Sequence, residues 1–215
     1  MQVTTIEARD IPEAWFRCLR SVLEEGYEYR IDRGSFEGQK RKELDLVVVQ
    51  IRQPGIRPLV PDVPRGVSPP TTIEYVESYL PYLMTSYKEK QEEYTYGEDL
   101  EPQIPEIIRM YKESGYNTNQ AYMAVGGRES IRLADPPCLR GIHTRVRYGR
   151  FHFIVYFRSW DLWGGFPSNL AALQLMKEYM ASEIGVDDGE LICLSSGLHL
   201  YEHTWEWAKM VARMD

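Results

Sequence analysis

The sequence predicts a single α+β domain, residues 1–215, with helices packed on a mainly antiparallel, mixed sheet. Three observations carry this. Apolar residues recur at helical spacing in segments closed by glycine, as at Trp15, Leu19, Val22 and Leu23 ahead of Gly26. Runs rich in β-branched and aromatic residues, at 44–51, 142–148 and 151–158, read as strands, the last two joined by a tight turn at Gly149. A chain of 215 residues with 43% hydrophobic content is long enough to close one sizeable core, and no polar block divides it.

Along the chain, Asp10 and Glu13 stand as a capping box for a first helix of about four turns. Residues 29–41 are polar and punctuated by glycine, so an arginine-bearing loop is expected between that helix and the strand at 44–51. Prolines at 54, 58, 61, 64, 69 and 70 deny regular structure, and a second helix is expected from about Thr72. A short helix at 104–114 closed by Gly115, a strand at 121–125 and the hairpin follow. Residues 169–184 place Leu170, Leu173, Met176, Lys177 and Met180 roughly on one face, with Gly185 as the stop, and form the expected central helix. A strand at 191–194 and a closing helix at 202–214 complete the reading.

Composition excludes several classes of function. No apolar run approaches the roughly 20 residues of a membrane span, and the N-terminus lacks a basic-then-apolar leader, so a cytoplasmic protein with no membrane partner is expected. Cys18, Cys138 and Cys193 have neither CxxC spacing nor even number, which speaks for free thiols and against a disulfide framework or a metal site. A formal net charge of −7 argues against obligatory nucleic-acid binding and favours a small anionic ligand held by a local arginine cluster.

Asp135, Pro136 and Pro137 lead into Cys138, so the thiol sits on stiff backbone where a loop meets a strand. A nucleophilic cysteine needs such presentation and a nearby cation, for which Arg140 and Arg158 are the candidates. Alone, a cysteine is more often a small buried hydrophobe. The segment Arg158-Ser159-Trp160-Asp161, followed by Gly165, Pro167 and Asn169, then Gly189-Glu190-Leu191 and His199-Leu200-Tyr201, changes that balance. Together with Pro137-Cys138, this ordered set resembles the nucleotide-binding framework of the thymidylate synthase family. Its specific part runs from 136 to 203, with fainter echoes in Asp32-Arg33-Gly34 and Tyr96-Gly97.

The resemblance implies a thymidylate synthase-like fold and assigns each anchor a task. Cys138 attacks C6 of 2′-deoxyuridine monophosphate, which makes C5 nucleophilic toward a one-carbon unit on a reduced pterin. Arg158 and Ser159 bind the phosphate, and Arg158 also favours the thiolate. Arg33 is the second phosphate ligand, with Arg30 as a fallback. Asp161 offers its backbone amide to the base, Asn169 pairs with O4 and N3, and His199 and Tyr201 meet the deoxyribose 3′-hydroxyl. Glu77, or else Glu74, manages protons at the base through water. The implied cofactor is 5,10-methylene-tetrahydrofolate or a modified tetrahydropterin such as methylene-tetrahydromethanopterin, and the implied assembly a homodimer.

The pattern also departs from the familiar enzymes. Their arginine pair, which reaches the neighbouring subunit's phosphate, corresponds here to Thr118-Asn119-Gln120, leaving Arg140 or Arg145 to supply charge. The sequence ends at Asp215, short of their closing segment, and resembles compact archaeal forms of the family. Pyrimidine nucleotide hydroxymethylation is an alternative, and Asn169 speaks for uracil over cytosine without separating hydride from water. A non-catalytic nucleotide- or RNA-binding relative is a further alternative, against which the retained thiol counts.

Overall fold

A computed structural model describes residues 1–34, 36–88, 90 and 93–213. The chain runs β1 (Val3–Ala8), α1 (Ile11–Glu25), β2 (Tyr27–Arg30), β3 (Lys40–Leu44), β4 (Leu46–Ile51), α2 (Ile73–Met84), α3 (Tyr96–Leu100), α4 (Gln103–Ser114), β5 (Tyr122–Ala124), β6 (Leu139–Arg147), β7 (Arg150–Phe157), β8 (Trp160–Asp161), α5 (Gly165–Ile184), β9 (Asp187–Ser195), β10 (Leu198–Tyr201) and α6 (Trp205–Ala212). It is an α+β fold with two mixed sheets, one of order β1-β4-β9-β7-β6-β5 and a smaller one of order β2-β3-β10-β8. The predicted closing helix extends to Met214, which lies outside the described residues.

The local chemistry of the helix ends matches their positions. Asp10 caps α1, its Oδ1 accepting from the Glu13 amide at 2.9 Å, while Glu13 turns back to accept from the Arg9 amide at 2.7 Å. Gly26 ends the helix in extended, not left-handed, backbone, and its glycine is needed because a Cβ would lie 2.4 Å from the Val22 carbonyl oxygen. Gly185 ends α5 in the left-handed conformation that glycine adopts freely. The structure starts α5 at Gly165, four residues before the predicted start. Pro167 is tolerated there because amides of the first turn have no partner within the helix.

The predicted hairpin is β6 and β7, joined by Tyr148 and Gly149, both with positive φ, which matches the twist of the flanking strands. Alternate residues of the large sheet point into the core, where Phe151, Phe153 and Phe157 are fully buried together with Leu170 and Met176 of α5. α5 is buried nearly all round, so its apolar face is wider than the single stripe predicted.

The expected loop at 29–41 is the main correction. Its ends are strands: β2 pairs antiparallel with β3, and β3 with β10, so only the connection between β2 and β3 remains a loop. Strand residues here are polar because one face of the small sheet is open to a cavity, which removes the apolar alternation that marks a half-buried strand. β1, β8, β10 and α3 also lie outside the predicted elements. β8 spans two residues and α3 five, too few to establish a period.

α3 is held by a full capping box between Thr95 and Glu98 and places Gly97 directly against Thr85, where a Cβ would fall 1.8 Å from the Thr85 carbonyl oxygen. Gly97→Ala must therefore push α3 away from α2. It should destabilise the protein by about 1–3 kcal/mol, as overpacking does. Urea unfolding checks this, and an unchanged midpoint would show that the contact relaxes without cost.

Candidate active site

The cysteine and the arginine meet because of strand register. Tight closure at Tyr148 and Gly149 pairs Arg147 with Arg150 and, further along, Gly141 with Tyr156. A bulge between Leu139 and Gly141 then shifts the pairing so that Leu139 faces Phe157. Cys138, one residue before β6, thus falls opposite Arg158, one residue after β7, and the Arg158 amide donates to the Cys138 carbonyl at 2.9 Å. The Arg158 side chain turns back over the cysteine loop. Its Nε donates to the Pro137 carbonyl at 3.1 Å, its terminal nitrogen to the Pro136 carbonyl, and the same nitrogen lies 3.3 Å from an oxygen of Asp135.

These groups line a cavity of about 450 Å³, within the roughly 300–1,000 Å³ range of small-molecule sites. The small sheet is its floor. In the antiparallel pairing of β3 with β10, Arg41 faces Tyr201 and Glu43 faces His199, and in the parallel pairing of β10 with β8, His199 faces Asp161. The two-residue period sends Lys42, Leu44, Leu198 and Leu200 to the opposite face, toward α1. Arg33, Ser159, Asp161, His199 and Tyr201 all line this cavity beside Cys138 and Arg158.

Burial pushes the Cys138 thiol above its ordinary pKa, while Arg158 and, more weakly, Arg41 pull it back down. Arg140, expected as an activating cation, does not line the cavity and instead lies against Gly126. Burial also drives the His199 pKa down to about 4, so the ring is neutral. Its Nδ1 donates to the Gly197 carbonyl at 2.9 Å, which leaves Nε2 as an acceptor, buried and without a partner among the described residues. Such an atom suits a ligand hydroxyl.

Asp161 joins the site to the central helix. Its Oδ2 accepts from the amides of Gly164 and Gly165, each at 3.0 Å, so the carboxylate caps α5. Along edge strand β8 and just past it, the amides of Trp160 and Leu162 donate to the carbonyls of Gly197 and His199, at 2.9 and 2.7 Å, and strand alternation turns the Asp161 amide outward. A second cavity of about 450 Å³ shares Asp161 and is lined by Thr72, Tyr75, Gly164, Gly165 and Asn169.

Asn169 lies in this second cavity, not the first. Its Oδ1 accepts from the Trp160 indole at 2.8 Å and its Nδ2 donates to the Tyr79 hydroxyl at 3.0 Å. Glu77 and Glu74 are exposed on α2, and neither lines either cavity. Arg30 is likewise outside, bonded to the Gly38 carbonyl. Asn119 and Gln120 are exposed ahead of β5, and Arg145 lies on the large sheet opposite His152. Arg41, Glu43 and Tyr79 were missed. The signal for Arg41 and Glu43 was alternation against the His199 and Tyr201 motif, legible only once residues 40–44 are known to be a strand.

The three thiols should separate cleanly by reactivity, since Cys18 and Cys193 are fully buried and burial raises both further than Cys138. Iodoacetamide should modify Cys138 alone in the folded protein, with a rate still climbing with pH beyond 9, because the thiolate reacts and its pKa is raised from 9.0. Arg158→Met removes the main opposing charge and should slow alkylation at any fixed pH below the thiol pKa. Mass-resolved alkylation rates across pH check both statements, and faster alkylation of the variant would refute the charge argument.

Comparisons with known proteins agree in one direction. A family profile described as thymidylate synthase matches residues 83–214. A Methanosarcina acetivorans protein named "Putative thymidylate synthase" is 28% identical over 214 residues, covering 97% of this chain and 94% of its own length. A Methanococcoides burtonii protein of the same name is 30% identical over 209 residues, covering 94% and 91%. The "Thymidylate synthase" of Listeria monocytogenes is 32% identical over 114 residues, 53% of this chain and 36% of its own length.

Proposed function

This chain belongs to the thymidylate synthase family, and we propose that it methylates 2′-deoxyuridine monophosphate at C5 through a covalent adduct between Cys138 and C6 of the pyrimidine. The observation that carries the reading is the pairing of Cys138 with Arg158 at the end of the β6–β7 hairpin, in a cavity that also holds Ser159, His199 and Tyr201. Bond formation between the Cys138 sulfur and C6 shifts an electron pair toward C5 and O4, and C5 becomes the nucleophile. Once C5 had bonded to the donor's one-carbon unit, loss of the C5 proton, hydride addition to that carbon and expulsion of the Cys138 thiolate from C6 would restore the ring with a methyl group at C5. Arg158, Arg33 and Ser159 hold the phosphate, and the neutral His199 accepts from the 3′-hydroxyl beside Tyr201.

The second cavity, into which the base would extend past Asp161 to meet Asn169, supports a site for the one-carbon donor beside it. Gly164 and Gly165 leave its wall without side chains, and Tyr75, more than half exposed, is stacked on Tyr79 with centroids 6.4 Å apart, so a flat ring has both a floor and an aromatic face. When bound there, a reduced folate or related tetrahydropterin supplies the one-carbon unit and the hydride. Asp161, which both cavities share, marks where nucleotide and donor meet.

Release of tritium from [5-³H]deoxyuridylate in the presence of methylene-tetrahydrofolate, or of methylene-tetrahydromethanopterin, tests the reaction, and the product's mass separates a methyl from a hydroxymethyl group. Cys138→Ser should bind the nucleotide and release no tritium, because a hydroxyl lacks a dedicated base here. Normal turnover by that variant would remove the central claim.

Base choice follows from the Asn169 amide. With one lone pair engaged by Trp160 and one N–H by Tyr79, a second lone pair and a second N–H remain, which match N3–H and O4 of uracil. Asn169→Asp offers only acceptors. It should shift the ratio of kcat/KM for deoxyuridylate over deoxycytidylate toward cytosine by about tenfold or more, since a mismatched buried polar pair costs roughly 1–3 kcal/mol. An unchanged ratio would leave Asn169 as part of the helix architecture alone.

The open face of the large sheet supports a homodimer. Val48, Ile154, Tyr156, Ile192 and Leu194 form an apolar centre that no helix among the described residues covers, with Arg145, Arg147, Arg150 and Glu190 around it. Ile192→Glu should give monomers by light scattering at micromolar concentration if this face is the interface. A wild-type monomer would contradict the assembly.

A further inference from the structure

Arg41 has no counterpart in the motifs that identify the site, yet it lies on the cavity floor. Register fixes its place: it faces Tyr201 on β10 and Tyr29 on β2. The side chain is 20% exposed, and its guanidinium lies over the Tyr29 ring at 4.9 Å, bonds the Tyr29 hydroxyl through Nε and pairs with Glu43 at 2.9 Å. Its stem is therefore already ordered, which removes much of the entropy cost of recruiting it to a ligand. One terminal nitrogen, Nη1, lies outside these contacts, and once Glu43 is exchanged the two terminal nitrogens form a fork that matches phosphate oxygens.

The other two cavity arginines differ from it. Arg33 is exposed on the β2–β3 loop, and Arg158 has Nε and one terminal nitrogen engaged by the cysteine loop. Among the carboxylates, Asp161 caps α5 and Asp135 pairs with Arg158, which leaves Glu43 as the acid that balances Arg41. Glu43 also lies 3.9 Å from His199 Nδ1, receives the Tyr29 hydroxyl at 3.0 Å, and is buried enough that its carboxyl is pushed above the usual range. Glu43 keeps the Tyr29 hydroxyl as a donor when Arg41 turns to a stronger anion.

We propose that Arg41 is an in-chain ligand for the 5′-phosphate of the nucleotide, exchanging Glu43 for the phosphate when substrate binds. The assignment rests on the nucleotide reading of this cavity. It gives the site a rigid cation from a strand in addition to Arg33 from a loop and Arg158 from the hairpin, all from one chain.

The test compares binding of deoxyuridylate with that of 2′-deoxyuridine, which lacks the phosphate, by calorimetry at several salt concentrations. Arg41→Met should weaken deoxyuridylate binding by about tenfold or more, the scale of one hydrogen bond to a charged group, flatten its salt dependence and leave deoxyuridine binding unchanged. Arg41→Lys should recover part of the loss. Glu43→Gln, which frees Arg41 from its acidic partner, should tighten deoxyuridylate and not deoxyuridine, and it keeps the proposal testable should Arg41→Met fail to fold. Equal losses for nucleotide and nucleoside, or no loss for either, would overturn the role of Arg41 while leaving the nucleotide reading intact. Failure of the wild-type protein to bind deoxyuridylate would overturn that reading and this assignment with it.

Discussion

The pairing of β6 with β7 sets Cys138 against Arg158, and the proposed chemistry rests on that meeting. A turn of two residues at one end and a bulge at the other decide that Cys138 faces Arg158. Without the bulge, the count from Arg147 and Arg150 would bring Ser159 opposite the thiol, because successive pairs would keep their original register. Once Arg158 is opposite, its side chain can reach the carbonyls of Pro136 and Pro137, and these prolines present no amides that would compete for those contacts. The loop that carries Cys138 is thus fastened by the same residue whose charge acts on the thiol. Hydrogen bonding and electrostatics are coupled in one side chain, so changes at Arg158 move both.

The second constraint is the placement of two sheets around one helix. β7 ends in the large sheet, Arg158 and Ser159 cross over, and β8 begins the edge of the small one, after which Asp161 caps α5. Within a few residues the chain therefore contributes a thiol partner, a cavity wall and the start of the core helix. The buried stack of Trp160 on Phe157, 3.8 Å between centroids, locks this crossing, with Phe166 of α5 against the same indole at 4.6 Å. Rigid packing behind the cavity explains how a cleft rich in glycine and loop can hold fixed distances in front of it.

How much of this was legible in the sequence depends on which physical signal each segment carries. The hairpin and α5 are buried in the core, so periodicity and glycine stops announced them. Lys40 to Leu44 form a strand with only Leu44 buried, because Arg41 and Glu43 face a polar cavity and Lys42 reaches the Leu23 carbonyl, so the signal used to find strands was absent where function required polar residues. Ordered motifs found the residues near Cys138, since chemistry constrains residue type at each spacing, and the structure gathers Arg33, Arg158, Ser159, Asp161, His199 and Tyr201 around one cavity. Glu77 had only an approximate place in a helix to support it, and the structure leaves it exposed. Tyr79, two residues on, is the side chain of that helix that touches Asn169, a contact that depends on how α2 rotates against α5 and that no spacing rule encodes.

The orientation of Asn169 shows how a residue outside the motif can govern one within it. An amide can turn over at little cost when its neighbours are water, and it would then present its donor and acceptor to either pyrimidine. Here the indole of Trp160 is a donor with no capacity to accept, so it admits only the oxygen of Asn169. Turning the amide would set two donors against each other in a site that is nearly dry, since Trp160 is 3% exposed, whereas the Tyr79 hydroxyl, which can donate as well as accept, tolerates either order. The free lone pair and free N–H are consequently held in one order. On the proposed reading, uracil recognition belongs to the Trp160–Asn169–Tyr79 unit, and the indole fixes by its chemistry what the amide alone would leave open.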